Sequence, residues 1–184
     1  GYDRKIGYLV YTGFESEYDD GLLAAIGNLS TEGAQELILD LRSNGGGSVI
    51  SAIKLASSLL GSTYDGTLFC SVERNPRNDS SETKSEFNLE DTGISLGINR
   101  LTVIASGYSA SASEIIIEGL RGIDIPVTIV GSTTEGKNCG MDVTRRHIGS
   151  TYLEYAPITF MCFNAKGYGG WGEGIAPDID LTTD

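Results

Sequence analysis

The sequence predicts an α/β fold whose core is a mostly parallel sheet, followed by a β-rich C-terminal part. Three observations predict it. Short runs of β-branched and aromatic residues alternate with apolar residues at helical spacing as far as Val130. Glycine- and serine-rich turns stand where a strand hands over to a helix, which is where open parallel sheets hold their ligands. From Cys139 onward the helical spacing stops, and short extended segments joined by turns take over. With 184 residues, 40% of them hydrophobic and only 4 prolines, the chain is long enough for one domain with its own core. No internal repeat or second domain boundary is visible in it.

The first strand is read at Ile6 to Tyr11. Tyr18-Asp19-Asp20 can then cap a helix that places Leu22, Leu23, Ile26 and Leu29 on one face. Glu36 to Leu41 is a second strand, and Ser43-Asn44 with Gly45 to Gly47 forms the turn into a helix from about Val49 to Leu60. Leu68 to Glu73 reads as another strand. Asn75 to Asn99 is polar and broken by Pro76, Gly93 and Gly97, so it is read as an exposed excursion, too long for an ordinary connection. Leu101 to Ala105 is a buried-type strand running into Ser109-Ala110-Ser111-Ala112-Ser113-Glu114 and a helix that carries Ile115, Ile116 and Leu120. Val127 to Val130 is a further strand. The C-terminal segments fall at Met141 to His147, Tyr152 to Ala156 and Thr159 to Phe163, with a glycine-rich stretch from Gly167 to Gly174 after them.

Thirteen Lys and Arg face 25 Asp and Glu, a net charge of −12, and no stretch gathers enough cations to neutralise a row of phosphates. Nucleic acid is therefore not expected as a partner, and the acidity is read as serving solubility. Cys70, Cys139 and Cys162 lack the spacing of a zinc or redox site, so three apolar thiols are expected rather than a bridge. No metal or other cofactor is called for. No apolar run is long enough to span a bilayer, and the opening Gly1-Tyr2-Asp3-Arg4-Lys5 is not a signal sequence. The chain reads as a mature fragment, with any export signal or upstream domain lying before Gly1.

Ser111 stands between a buried strand and an apolar helix among small residues that let a substrate backbone approach, a common setting for a nucleophilic serine. The same residues match the Ser-x-x-Glu capping box, in which the hydroxyl serves only the helix N-terminus. His147, beside Arg145 and Arg146 in a hairpin, is a poor base. Lys137, in Gly131-Ser-Thr-Thr-Glu-Gly136-Lys137 after the next strand, is the better candidate because adjacent strand ends can bring it to Ser111. A lysine is a base only when neutral, so from about 10.4 its pKa must fall by roughly three units, which burial can supply. The loop is also a near miss for a phosphate-binding loop, but Asn138 stands where Ser or Thr would hold magnesium, and Asn138-Cys139-Gly140-Met141 do not start a helix. Nucleotide is therefore not expected. Two amides are available for an oxyanion, that of Ala112 and one from Gly45-Gly46-Gly47.

Four segments in series, Asp40-Leu41-Arg42-Ser43-Asn44-Gly45-Gly46-Gly47, Ser109-Ala-Ser111-Ala-Ser113-Glu114-Ile115, Gly136-Lys137-Asn138 and Gly172-Glu-Gly174-Ile175-Ala-Pro177-Asp178, resemble the motifs of the C-terminal-processing (tail-specific) serine peptidases of S41 type. The form Glu135-Gly136-Lys137-Asn138 is similar to exported members from Bacteroides-like bacteria. The resemblance implies a core related to the ClpP and crotonase α/β spiral, a Ser111/Lys137 dyad, an oxyanion hole from Ala112 and Gly46, with Gly45 as the alternative, and a supporting hydroxyl from Thr134. It further implies protein or peptide substrates cut near their C-termini through an acyl-enzyme, and a periplasmic or cell-envelope location. Two features depart from the family pattern: Met141 stands where many members carry glutamine, and the peptide-gripping PDZ domain is absent, its place lying upstream of Gly1 with an N-terminal helical region. The same fold also resembles a retinoid-binding protein, so a non-catalytic ligand- or peptide-binding module is the alternative reading. Acyl-CoA chemistry of the crotonase type does not call for the Ser/Lys pair.

Overall fold

The computed structural model describes residues 3–75 and 83–182. Its main sheet is parallel and five-stranded. The strands are β1 (Ile6–Val10), β2 (Glu36–Asp40), β5 (Leu101–Ala105), β6 (Val127–Gly131) and the short β11 (Ile179–Asp180), which lie side by side in that order. The connections β1 to β2, β2 to β5 and β5 to β6 each include a helix: α1 (Asp19–Thr31), α2 (Val49–Leu60) and α3 (Ala112–Gly122). Leu37 and Leu39 of β2, Leu101 and Val103 of β5 and Ile129 of β6 alternate inward to the helices and form the core with Ile26, Leu55, Leu59, Ile116 and Leu120. Burying a side chain of this kind contributes about 1.5–3 kcal/mol.

α2 lies between α1 and α3. Lys54 of α2 pairs with the buried Asp19 of α1 at 2.7 Å, which fixes their relative register. α3 touches β6 on one side and the second sheet on the other. That second sheet is antiparallel, in the order β4 (Lys84–Asn88), β3 (Leu68–Arg74), β10 (Ile158–Asn164) and β7 (Cys139–Met141). A separate hairpin, β8 (Thr144–Ile148) and β9 (Thr151–Tyr155), leaves the body after β7. It holds His147, exposed and opposite Tyr152.

The helices and the strands as far as Val130 are found within one or two residues of where the sequence puts them, but the segment expected at Met141 to His147 is divided between β7 and β8, and a second expectation is also corrected. The stretch Asn75 to Asn99 is not simply an exposed excursion, although 76–82 fall outside the described residues. Residues 84–88 pair with β3, and Leu89, Leu96 and Ile98 are buried against α2. The Leu96 and Ile98 amides donate to the carbonyls of Ser58 and Leu59, which satisfies acceptors that a helix end leaves open. Three isolated leucine and isoleucine residues in a polar run give no periodic signal, so the sequence does not reveal that the segment closes the end of α2.

The three thiols are free. Cys70 and Cys162 are buried, which pushes each pKa up to about 12, while Cys139 is half-buried. No described helix is long and apolar enough to cross a membrane.

Candidate active site

The C-terminal ends of β2, β5 and β6 converge, and each contributes one turn. After β2, Asn44 is fully buried and organises its own turn. Its carboxamide donates to the Tyr11 carbonyl at 2.9 Å and accepts from the Gly46 amide at 2.9 Å. Its backbone carbonyl accepts from the Ala110 amide at 3.2 Å and the Ser113 hydroxyl at 2.8 Å. The turn after β2 is thus bonded to the turn after β5 on both sides of Ser111. Gly46 has φ +98°, and a Cβ there would lie 2.7 Å from both the Ala110 carbonyl oxygen and the Ser111 Cβ. Only glycine permits that approach.

The three serines of the turn after β5 are not equivalent. Ser109 is buried and donates to the Leu41 carbonyl at 2.7 Å, and Ser113 is buried and bound to Asn44. Ser111 is half-buried and adopts φ +56°, ψ −112°, a conformation that costs a non-glycine residue roughly 1–3 kcal/mol and persists only where the surroundings enforce it. What enforces it is Glu114. Its carboxylate, wholly out of solvent, accepts from the Ser111 amide at 2.8 Å. The pairing is the capping box read from the sequence. Its well-formed half is the carboxylate's, because the Glu114 amide donates to the Ser111 carbonyl at 2.9 Å and the hydroxyl makes no cap hydrogen bond of good geometry.

The same carboxylate holds the turn after β6. Its Oε1 accepts from the Thr134 hydroxyl at 2.6 Å and the Gly136 amide at 2.7 Å, and its Oε2 from the Lys137 amide at 2.8 Å. Four donors around one buried carboxylate satisfy it without a cationic partner. Thr134 in turn accepts from the Ile175 amide at 2.8 Å, so the Gly172 to Asp178 segment is tied to the same point. Glu114 is the site residue that sequence reading undervalued: the Ser-x-x-Glu spacing announced a helix cap, but three of its four donors come from residues 20 or more positions away.

Ser111 and Lys137 line one cleft of about 330 Å³, with Phe14, Val49, Ile115, Met141, Val143 and Phe160 among its walls. Met141, where glutamine was noted as the family habit, lies on this wall. A larger cavity of about 420 Å³ opens between α2 and β4 and contains Lys54 and Ser57. Lys54 is engaged by Asp19, and the Ser57 hydroxyl accepts from the Glu90 amide, so the chemistry favours the smaller cleft. The Ala112 amide, first in α3, has no acceptor among the described residues. That of Gly46 is directed to Asn44. Residues 139–141 after Lys137 form a strand rather than a helix, so this loop does not lead into a helix as a phosphate-binding loop does. Among the described residues no group of three or more His, Cys, Asp or Glu gathers as a metal site would.

A model of peptidase family S41 matches residues 5–181. The chain belongs to peptidase family S41. A CtpA-like serine protease of Staphylococcus epidermidis is 26% identical over 184 residues, covering 99% of this chain and 35% of that protein. Relatives of the same description from Staphylococcus aureus are also 26% identical. An S41 protease of Bacteroides fragilis superimposes with a TM-score of 0.87 at 22% identity, over 97% of this chain and 48% of the other. The photosystem II D1 C-terminal processing protease superimposes with 0.67 at 23% identity, over 96% and 42%. The S41 chain thus spans about a third of the length of the curated relatives it matches, and the α/β architecture is that of solved S41 proteases.

Proposed function

We propose that the 184 residues form the catalytic core of a serine endopeptidase that cuts peptide bonds near protein C-termini, with Ser111 as nucleophile and Lys137 as general base. The observation that supports this best is the single buried carboxylate of Glu114, which binds the backbone amides of both residues at 2.8 Å while both side chains line one cleft. In this reading neutral Lys137 takes the Ser111 hydroxyl proton as Oγ bonds to the scissile carbonyl carbon. The lysine then gives that proton to the leaving amine as the C–N bond breaks, and water hydrolyses the acyl-enzyme by the same route. The oxyanion is held by the Ala112 amide and by an amide of the Gly45-Gly46 turn; Gly46 serves by releasing Asn44 Oδ1. Thr134 supports the lysine turn through Glu114.

Substrates are unfolded protein or peptide segments, and the working place of the enzyme is the periplasm or cell envelope. The test is cleavage of an unfolded protein substrate. Ser111→Ala and Lys137→Ala should each abolish it. Cleavage retained by either variant would return the fold to the alternative of a non-catalytic ligand- or peptide-binding module.

A further inference from the structure

We infer that Asn138 is a positioning residue for Lys137: it clamps the lysine's turn onto the glycine-rich strap at 167–178 and so fixes the point from which Nζ reaches towards Ser111. The inference rests on Lys137 being the general base. The lysine side chain makes no hydrogen bond among the described residues, and Met141 on the wall of the same cleft offers it only a thioether, a weak acceptor. Where Nζ can reach is therefore set by the backbone that carries it. The Asn138 amide donates to the Gly136 carbonyl at 3.2 Å, which closes a three-residue turn with Lys137 at its centre. Both ends of that turn are held. At the near end the Gly136 amide is bound to Glu114, and a Cβ on Gly136, whose φ is +93°, would lie 2.5 Å from the Gly174 nitrogen and 2.6 Å from the Gly172 carbonyl oxygen. The turn thus rests backbone to backbone on the strap. At the far end Asn138 makes two bonds to different elements: its carboxamide donates to the Gly169 carbonyl at 2.7 Å, and its own carbonyl accepts from the Cys162 amide of β10 at 2.8 Å.

The strap is a firm support. Trp171 and Ile175 are buried in the main core, and the Trp171 carbonyl accepts from the Gly174 amide at 2.9 Å, so the strap folds back on itself between them. The Ile175 amide and carbonyl are both bonded to Thr134, which brings the strap to the same buried carboxylate that holds the turn from below. Glu114 takes the amides of Gly136 and Lys137 and reaches no further along the chain. Beyond the lysine, the Asn138 carboxamide is the side chain that carries the tie. Without it the turn keeps its entry point but loses its hold on the strap, and the lysine backbone is free to swing about the Glu114 bonds. A misplacement of about 1 Å at a reacting group can cost on the order of 100-fold in rate.

The test is the rate at which a fluorophosphonate acylates Ser111, followed by intact mass in the parent chain, Asn138→Ala, Lys137→Ala and the double variant. Asn138→Ala should slow the reaction by ~10–100-fold where Lys137 is present. Where Lys137 is already alanine, the same substitution should change the rate by less than ~2-fold, because the asparagine acts only through the lysine. Asn138→Gln, which keeps a donor, should recover part of the loss. If Asn138→Ala does not keep the parent's far-UV spectrum, Asn138→Ser, whose hydroxyl is too short to reach Gly169, takes its place. A loss of the same factor in both backgrounds would make Asn138 a structural residue and overturn the proposal. An Asn138→Ala chain that reacts at the parent rate while Lys137→Ala is slow would overturn it alone and leave the lysine as base. Equal rates in the parent and Lys137→Ala would refute the lysine as base, and the positioning role with it.

Discussion

The wall of the cleft that carries Ser111 is fixed from three directions by buried polar groups, whereas the wall beyond Lys137 runs out into a hairpin whose residues from Arg145 to Tyr155 are all exposed. The first wall gathers Asn44, Ser109, Ser113 and Glu114, each buried and each bonded to another turn. The second rests on β7, three residues long, at the margin of the four-stranded sheet. Lys137 stands between them: its backbone belongs to the first wall through Glu114, and its side chain lies in the cleft that the second wall bounds. The geometry at Ser111 is therefore over-determined. The shape of the cleft opposite it depends on an element with little core of its own.

The sharpest way to break this contrast is Ser111→Ala. A nucleophile held by its surroundings should lose cleavage on the order of 10⁴–10⁶-fold while thermal stability is nearly unchanged. A serine serving only as a helix cap would show the opposite, about 1 kcal/mol of lost stability and no loss of cleavage. Next in size is Glu114→Gln, which puts a donor amide against donors. Denaturant unfolding should show a loss of about 3–5 kcal/mol, and a loss below about 1 kcal/mol would mean that the two turns do not depend on this carboxylate.

Asp40 sharpens the first wall's outer support. Hydrogen bonds from Arg42 hold its carboxyl at about 2, below the ordinary 3.8. A depressed folded-state value stabilises the fold above the ordinary one, and that contribution is lost as pH falls through about 2. Asp40→Asn should accordingly cost about 1–2 kcal/mol in urea unfolding at pH 7, and the difference from the parent chain should shrink towards pH 2. The smallest effect is expected on the second wall. Leu153→Ser, on a fully exposed strand, should change stability by less than about 0.5 kcal/mol.

Regular elements were legible because their spacing is periodic. The helix at Val49–Leu60 and the strand at Leu101–Ala105 are found where the pattern puts them. Residues 84–88 were not legible as a strand, since Lys84-Ser-Glu-Phe-Asn has one large apolar side chain and pairs as an edge. At the site, Ser111, Lys137 and the glycine turn could be picked out by type and position. Their fastening could not. Asn44 and Glu114 act through partners brought close only by the fold, and nothing in a local window says that a capping glutamate will also receive Thr134, Gly136 and Lys137. Nor did the turn-forming glycines foretell that the Gly46 amide would be directed to Asn44.

The most direct measurement is reaction of the folded chain with a fluorophosphonate, read by intact mass and peptide mapping. A single adduct on Ser111, formed at least ~100-fold more slowly in a folded Lys137→Ala variant, is the predicted result. An adduct elsewhere, none at all, or one formed on Ser111 at the same rate without Lys137 would contradict the assignment of these two residues as nucleophile and base.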